Sequence, residues 1–215
     1  SAAIEKRRHR GHSNRTAVPR LSRKPAHAMP AWNPFRLKPV AFPAEELYAA
    51  IVERSRDPRF YAAHGGPYSR DGRFEMVTLH AYLVLRRLRA GGPAAEQAAQ
   101  ALVDVLFADM DANLREMGAG DLGVGKRVKR MATGFYGRVA AYDEGQAKGD
   151  AREALRRNLF GTVSPSPAEI DAMAGYLGRA ETALAGQELA EILAGRPDFG
   201  RPDFGPIEGR GEESP

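Results

Sequence analysis

The sequence predicts an all-α protein: a single bundle of about six helices with a disordered basic N-terminal arm and a short extended C-terminal tail. Three observations carry that reading. Apolar residues recur at three- and four-residue spacing through most of residues 41–195, Gly and Pro clusters fall between those periodic segments, and alternating β-branched runs are missing.

The first helix is expected behind Pro43, with Leu47, Tyr48, Ile51 and Val52 on one side, because a proline suits a first helical turn. Asp57-Pro58 ends it, RFYAAHGG reads as a turn, and a second helix begins near Arg73 with Phe74, Val77, Tyr82, Leu85 and Leu88 inward. Gly91-Gly92-Pro93 separates this from a third helix, whose Ala98, Leu102, Val105, Leu106, Met110, Leu114 and Met117 keep the helical period. Gly118 suits the left-handed position after a helix. Asp121 is then the candidate N-cap of a fourth helix, with Val124, Val128, Met131, Phe135, Val139 and Tyr142 on one side. A fifth, shorter helix is expected near 150–160. Ser166, Pro167 and Glu169 spell a capping box that opens a last helix running to about Leu193, with Ile170, Met173, Leu177 and Leu184 inward. Beyond Gly195 the direct repeat GRPDFGRPDFG leads into IEGRGEESP, and two five-residue copies are too few to build a repeat architecture. Residues 196–215 are therefore assigned to the tail, 41–195 to the helical domain and 1–40 to the arm.

Composition narrows the function classes. The 215 residues, 43% hydrophobic and 27% charged, suit one globular domain with tails. The absence of cysteine removes disulfides, thiolate metal sites and cysteine nucleophiles together. Of the five histidines, His9, His12 and His27 fall in the arm, which leaves His64 and His80 for the body. The longest uncharged stretches, Pro25 to Phe35 and Asn158 to Ala168, are short of the roughly 20 apolar residues a membrane helix needs, so no span is expected. The net charge of +5 is uneven: residues 1–40 hold ten Lys/Arg against Glu5, while the body is mildly acidic. An arm of that composition cannot bury enough apolar surface to offset its ordering entropy. It suits a nucleic-acid arm, an attraction to anionic lipid, an organelle presequence or a plain solvated tail.

No motif points to catalysis, metal or cofactor, and none is expected. Gly118 to Gly123 reads GxGxxG and Gly120 to Lys126 reads GxxxxGK, but a long amphipathic helix stands where a phosphate loop needs a strand, and Arg127 takes the Ser/Thr position. Asp109, Asp111 and Asn113 open like a calcium loop, yet Leu114 and Gly120 occupy the glycine and glutamate positions. His80 among Leu79, Ala81, Tyr82 and Leu83 reads as a buried histidine with a backbone partner, and His64 as the end of a helical turn. The remaining feature is a basic run, Lys126, Arg127, Lys129 and Arg130, extended along the fourth helix by Arg138 and preceded by a glycine corner with Gly120, Asp121 and Gly125. A solvated amphipathic face is the ordinary explanation; a surface that docks on phosphate or an acidic protein is the functional one.

The segment LREMGAGDLGVGKRVKRMATGFYGRVAAY (Leu114 to Tyr142) resembles the ubiquinol–cytochrome c chaperone family, as do IVERSRDPRFYAAHGGP, DGRFEMVTLHAYLVLRRL and ALVDVLFADMDANLREMG in the same order. Two positions depart from the family pattern: Tyr68 stands where an acidic residue is usual, and Gly123 where Ser often stands. The resemblance implies an all-helical, non-enzymatic chaperone that binds newly made cytochrome b and supports assembly of the cytochrome bc1 complex. It also implies a small partner protein or the ribosome as possible associates. The compartment would be a bacterial cytoplasm at the inner membrane face or a mitochondrial matrix. A ribosome- or RNA-binding protein that uses its basic arm is the rival, with affinity that falls as salt rises.

Overall fold

Eight helices and no strand occur among the described residues, which in this computed structural model are 42–62, 70–116 and 121–204. They are α1 (Ala44–Ser55), α2 (Arg59–Ala62), α3 (Arg70–Leu88), α4 (Gly92–Glu116), α5 (Asp121–Ala147), α6 (Arg152–Arg157), α7 (Pro167–Gly186) and α8 (Leu189–Leu193). Six of them are the expected helices. The single turn α2 replaces an expected loop, and α8 is the detached end of the helix expected to run to Leu193. No described helix is long and apolar enough to cross a membrane. His64 and Tyr68 lie outside the described residues, as do Met117, Gly118 and Gly120.

The centre of the bundle is α3, which packs against α1, α4, α5 and α7. Its sequence explains that position: Leu79, Ala81, Tyr82, Leu83, Val84 and Leu85 are consecutive or nearly so and all at most 1% exposed, so the middle of the helix is buried on every side. The expected one-sided stripe was too narrow for a helix with neighbours all round. Around it, α4 contributes Leu102, Leu106 and Met110, α5 contributes Phe135, Val139 and Tyr142, and α7 contributes Met173, Leu177 and Leu184, all buried.

Helix α7 begins as its sequence dictates. The Glu169 amide donates to Ser166 Oγ (3.2 Å) and the Ser166 amide to Glu169 Oε2 (2.7 Å), which satisfies two of the first-turn donors reciprocally. Its end falls earlier than expected, because Gln187 adopts an extended conformation after Gly186. Arg87 from α3 reaches across to the exposed carbonyls there, donating to Leu184 O (2.9 Å) and Gln187 O (3.1 Å). These bonds replace the helical partners that a continued α7 would have supplied.

Residues 196–204 have no regular secondary structure, as an extended segment should not, but they lie on the bundle. Phe199 is 2% exposed and belongs to the core, and Pro202 is also buried.

Candidate docking site

The basic run lies at the start of α5. Val128 turns inward at 9% exposure, Met131 is half-buried, and Arg127, Lys129 and Arg130 are exposed. Among the described residues these three cations enter no ion pair, whereas Arg59, Arg86, Arg89, Arg115, Arg138, Arg152, Arg156 and Arg196 each hold a carboxylate. Lys126 and Asp121 sit on the first turns of the same helix. Gly125 is also inside α5 rather than in a preceding corner, and a Cβ built on it meets nothing within 4 Å. No close approach requires glycine at that position.

Arg138 does not continue the patch as an available cation. Its Nε donates to Glu75 Oε2 (2.5 Å), its Nη2 to Glu75 Oε1, and its Nη1 to Gly134 O (3.0 Å). The guanidinium also stands 5.6 Å from the centre of the Phe74 ring. Burial pushes the Glu75 carboxyl up, against the opposing pull of Arg138, and the carboxylate in turn holds the arginine charged. Arg138 thus ties α5 to α3.

Beside Met131 lies an open cleft of about 660 Å³ between α1, α2, α3, α4 and α5. Val52, Phe74, Val77, Met110 and Met131 give it apolar surface, and Arg56, Arg73, Asp109, Asn113 and Glu116 give it polar surface. Tyr48 Oη donates to Asp109 Oδ2 (2.8 Å) across it, and Asn113 Nδ2 donates to the same oxygen (3.0 Å). Burial, reinforced by that carboxylate, raises the Tyr48 hydroxyl above its ordinary range, so it remains a donor. Asp111 pairs with Arg115 (2.7 Å). The two aspartates of the calcium-like motif therefore have separate structural partners. An apolar patch bordered by polar groups, with two methionines in its lining, has the composition that protein-binding surfaces share. The sequence concealed it, because Phe74, Val77, Met110 and Met131 satisfy the same periodicity as true core residues. All but Met110 are only half-buried.

Behind the cleft sits His80, fully buried. Its Nδ1 lies 2.8 Å from Met76 O and 3.1 Å from Ser55 Oγ, and its Nε2 lies 2.7 Å from Tyr176 Oη. A carbonyl only accepts, which assigns the proton to Nδ1 and leaves Nε2 to accept from the tyrosine. Burial lowers its pKa to about 4, so the ring is neutral at pH 7. This is the structural histidine that its apolar neighbours predict.

Residues 62–199 match the ubiquinol–cytochrome c chaperone family. The chain belongs to that family. The crystal structure of the Cbp3 homolog from Brucella abortus is 34% identical, superposes with a TM-score of 0.67, and covers 74% of this chain and 89% of that one. Ubiquinol-cytochrome-c reductase complex assembly factor 1 of Xenopus laevis is 24% identical over 148 residues, 68% of this chain and 72% of the frog protein. The Mus musculus assembly factor 1 is 24% identical over 136 residues, 62% of this chain, which spans 46% of the mouse protein's length. The match takes in the chaperone-family helices from the end of α2 through α8 and reaches Phe199.

Proposed function

We propose that this protein is an assembly chaperone for the cytochrome bc1 complex and that its client is newly made cytochrome b. It acts by binding rather than by chemistry, with the client held on the cleft and on the exposed start of α5. Arg127, Lys129 and Arg130 make the polar contacts, together with Lys126. The observation that carries the docking assignment is the contrast in pairing: eight arginines elsewhere are matched to carboxylates, whereas Arg127, Lys129 and Arg130, clustered on the exposed start of α5, enter no ion pair among the described residues. Unmatched surface charge next to apolar surface steers and orients a partner. The relatives' names supply the complex being assembled. The site of action is the inner membrane face of a bacterium or its mitochondrial equivalent.

The test is co-purification of cytochrome b with a triple charge reversal, Lys126→Glu, Arg127→Glu and Arg130→Glu. Client recovery is expected to fall at least tenfold with helicity and melting unchanged. Undiminished recovery from the folded variant removes the α5 face from the docking site. Deletion of residues 1–38 should leave client recovery intact; a loss there, with the arm alone binding RNA, would move recognition to the arm.

A further inference from the structure

Residues 195–204 hold Gly-Arg-Pro-Asp-Phe twice, and both copies open on a glycine with positive φ. φ is +79° at Gly195 and +67° at Gly200, a region that residues with a Cβ rarely enter. At Gly195 the space is closed too, since a Cβ would lie 2.9 Å from that of Glu46. Each copy turns at its glycine and ends on a phenylalanine set into one aromatic cluster. Phe199 stands edge-on to His80 with ring centres 5.1 Å apart, and Arg54 lies 5.9 Å from its centre. Phe204 packs on Phe60 at 5.5 Å and on Tyr176 at 5.7 Å. Gln187 fastens the first copy through Arg196 O (2.7 Å) and the Asp198 amide (2.9 Å), and Arg179 fastens the second by donating to Asp203 O.

The other side of this cluster is α2. Its four residues are far below the length at which a helix sustains itself. Phe60 and Tyr61 point in different directions. Phe60 is fully buried against Tyr176 (4.9 Å), His80 (5.3 Å) and Phe204, while Tyr61 lines the cleft and donates to Ser55 O (2.6 Å). One turn of helix therefore stands between the repeat and the cleft.

We infer that residues 195–204 are a clasp that holds the α2 wall of the cleft in place. Phe199 is its inner peg and is part of the core. Phe204 is half-buried and is the peg that can be withdrawn without opening the bundle. Its consequence for the client rests on the docking role proposed for the cleft, but the coupling of clasp to α2 does not.

Hydrogen exchange on the full chain tests it. Phe204→Ala removes the outer peg, and Gly200→Val disturbs the same copy through its backbone. Both are expected to speed exchange in the peptide covering 57–62 at least tenfold, with the peptide from Phe135 to Tyr142 unchanged, as a local opening requires. If neither variant speeds exchange at 57–62, the clasp is refuted. Cytochrome b recovery read on the same variants separates the two ideas. Faster α2 exchange with undiminished recovery upholds the clasp and removes the α2 wall from the docking site.

Discussion

The α3–α7 side of the molecule and the first turns of α5 use arginine in opposite ways. On the former, Arg86 meets Glu181 at 2.6 Å, Arg89 meets Asp143 at 2.5 Å, and Arg87 serves two carbonyls at the end of α7. On the latter, Arg127, Lys129 and Arg130 face solvent without ion pairs among the described residues. The first region spends its charge on holding helices together, and the second keeps it available. The same kind of side chain is thus tied between helices in one place and left to solvent in the other, and only the location of the carboxylates tells them apart.

Three measurements sharpen or break that division. The largest effect belongs to the tightly knit side: Phe199→Ala is expected to cost about 3–5 kcal/mol, the usual range for a buried phenylalanine, read from urea unfolding. A loss below 1 kcal/mol would return residue 199 to the tail. Next comes pH. His80 in the unfolded chain titrates near 6.5 and in the folded chain at about 4, so between those values the unfolded state binds the extra proton. Its contribution is fully present above pH 6.5 and is lost as pH falls through about 4, a total of roughly 3 kcal/mol. The difference in pH slope between the parent chain and His80→Gln isolates this from the carboxylates, and parallel slopes would contradict it. The smallest effect sets the two kinds of arginine side by side. Glu75→Gln leaves the Arg138 guanidinium partly buried without its counter-charge and should cost about 2 kcal/mol, less than a fully buried pair because the guanidinium is partly solvated. Arg130→Ala should stay within about 0.5 kcal/mol. Equal costs would erase the distinction.

Much of the fold was legible because it is local. The capping box at Ser166 needs only four residues to be recognised, and the periodicities of α4 and α5 sit within single windows. His80 announced itself through its apolar neighbours. The features that escaped are those settled by distant partners. Arg138 looks like one more cation on a basic face until Glu75, 63 positions away, comes into contact with it. The carbonyls left open by the break after Gly186 are met by Arg87, about a hundred residues earlier. Phe199 carries no period because its segment has no secondary structure, so pattern reading had nothing to count. The cleft was hidden for a related reason: a half-buried apolar residue at the edge of a stripe is spelled like one at its centre. For the candidate site, the charge run was visible in the sequence, but its separation from Arg138 was not.

Protein synthesis runs in one direction, and residues 195–204 emerge after every helix they touch. A growing chain that has already produced α1 through α8 still lacks both phenylalanine pegs. In such a chain Phe60 keeps its contacts with His80 and Tyr176 but lacks the one with Phe204. On the clasp proposal, the α2 wall of the cleft gains its last contacts only once residue 204 has been made, and fragments truncated before position 195 would carry the cleft's side chains without them.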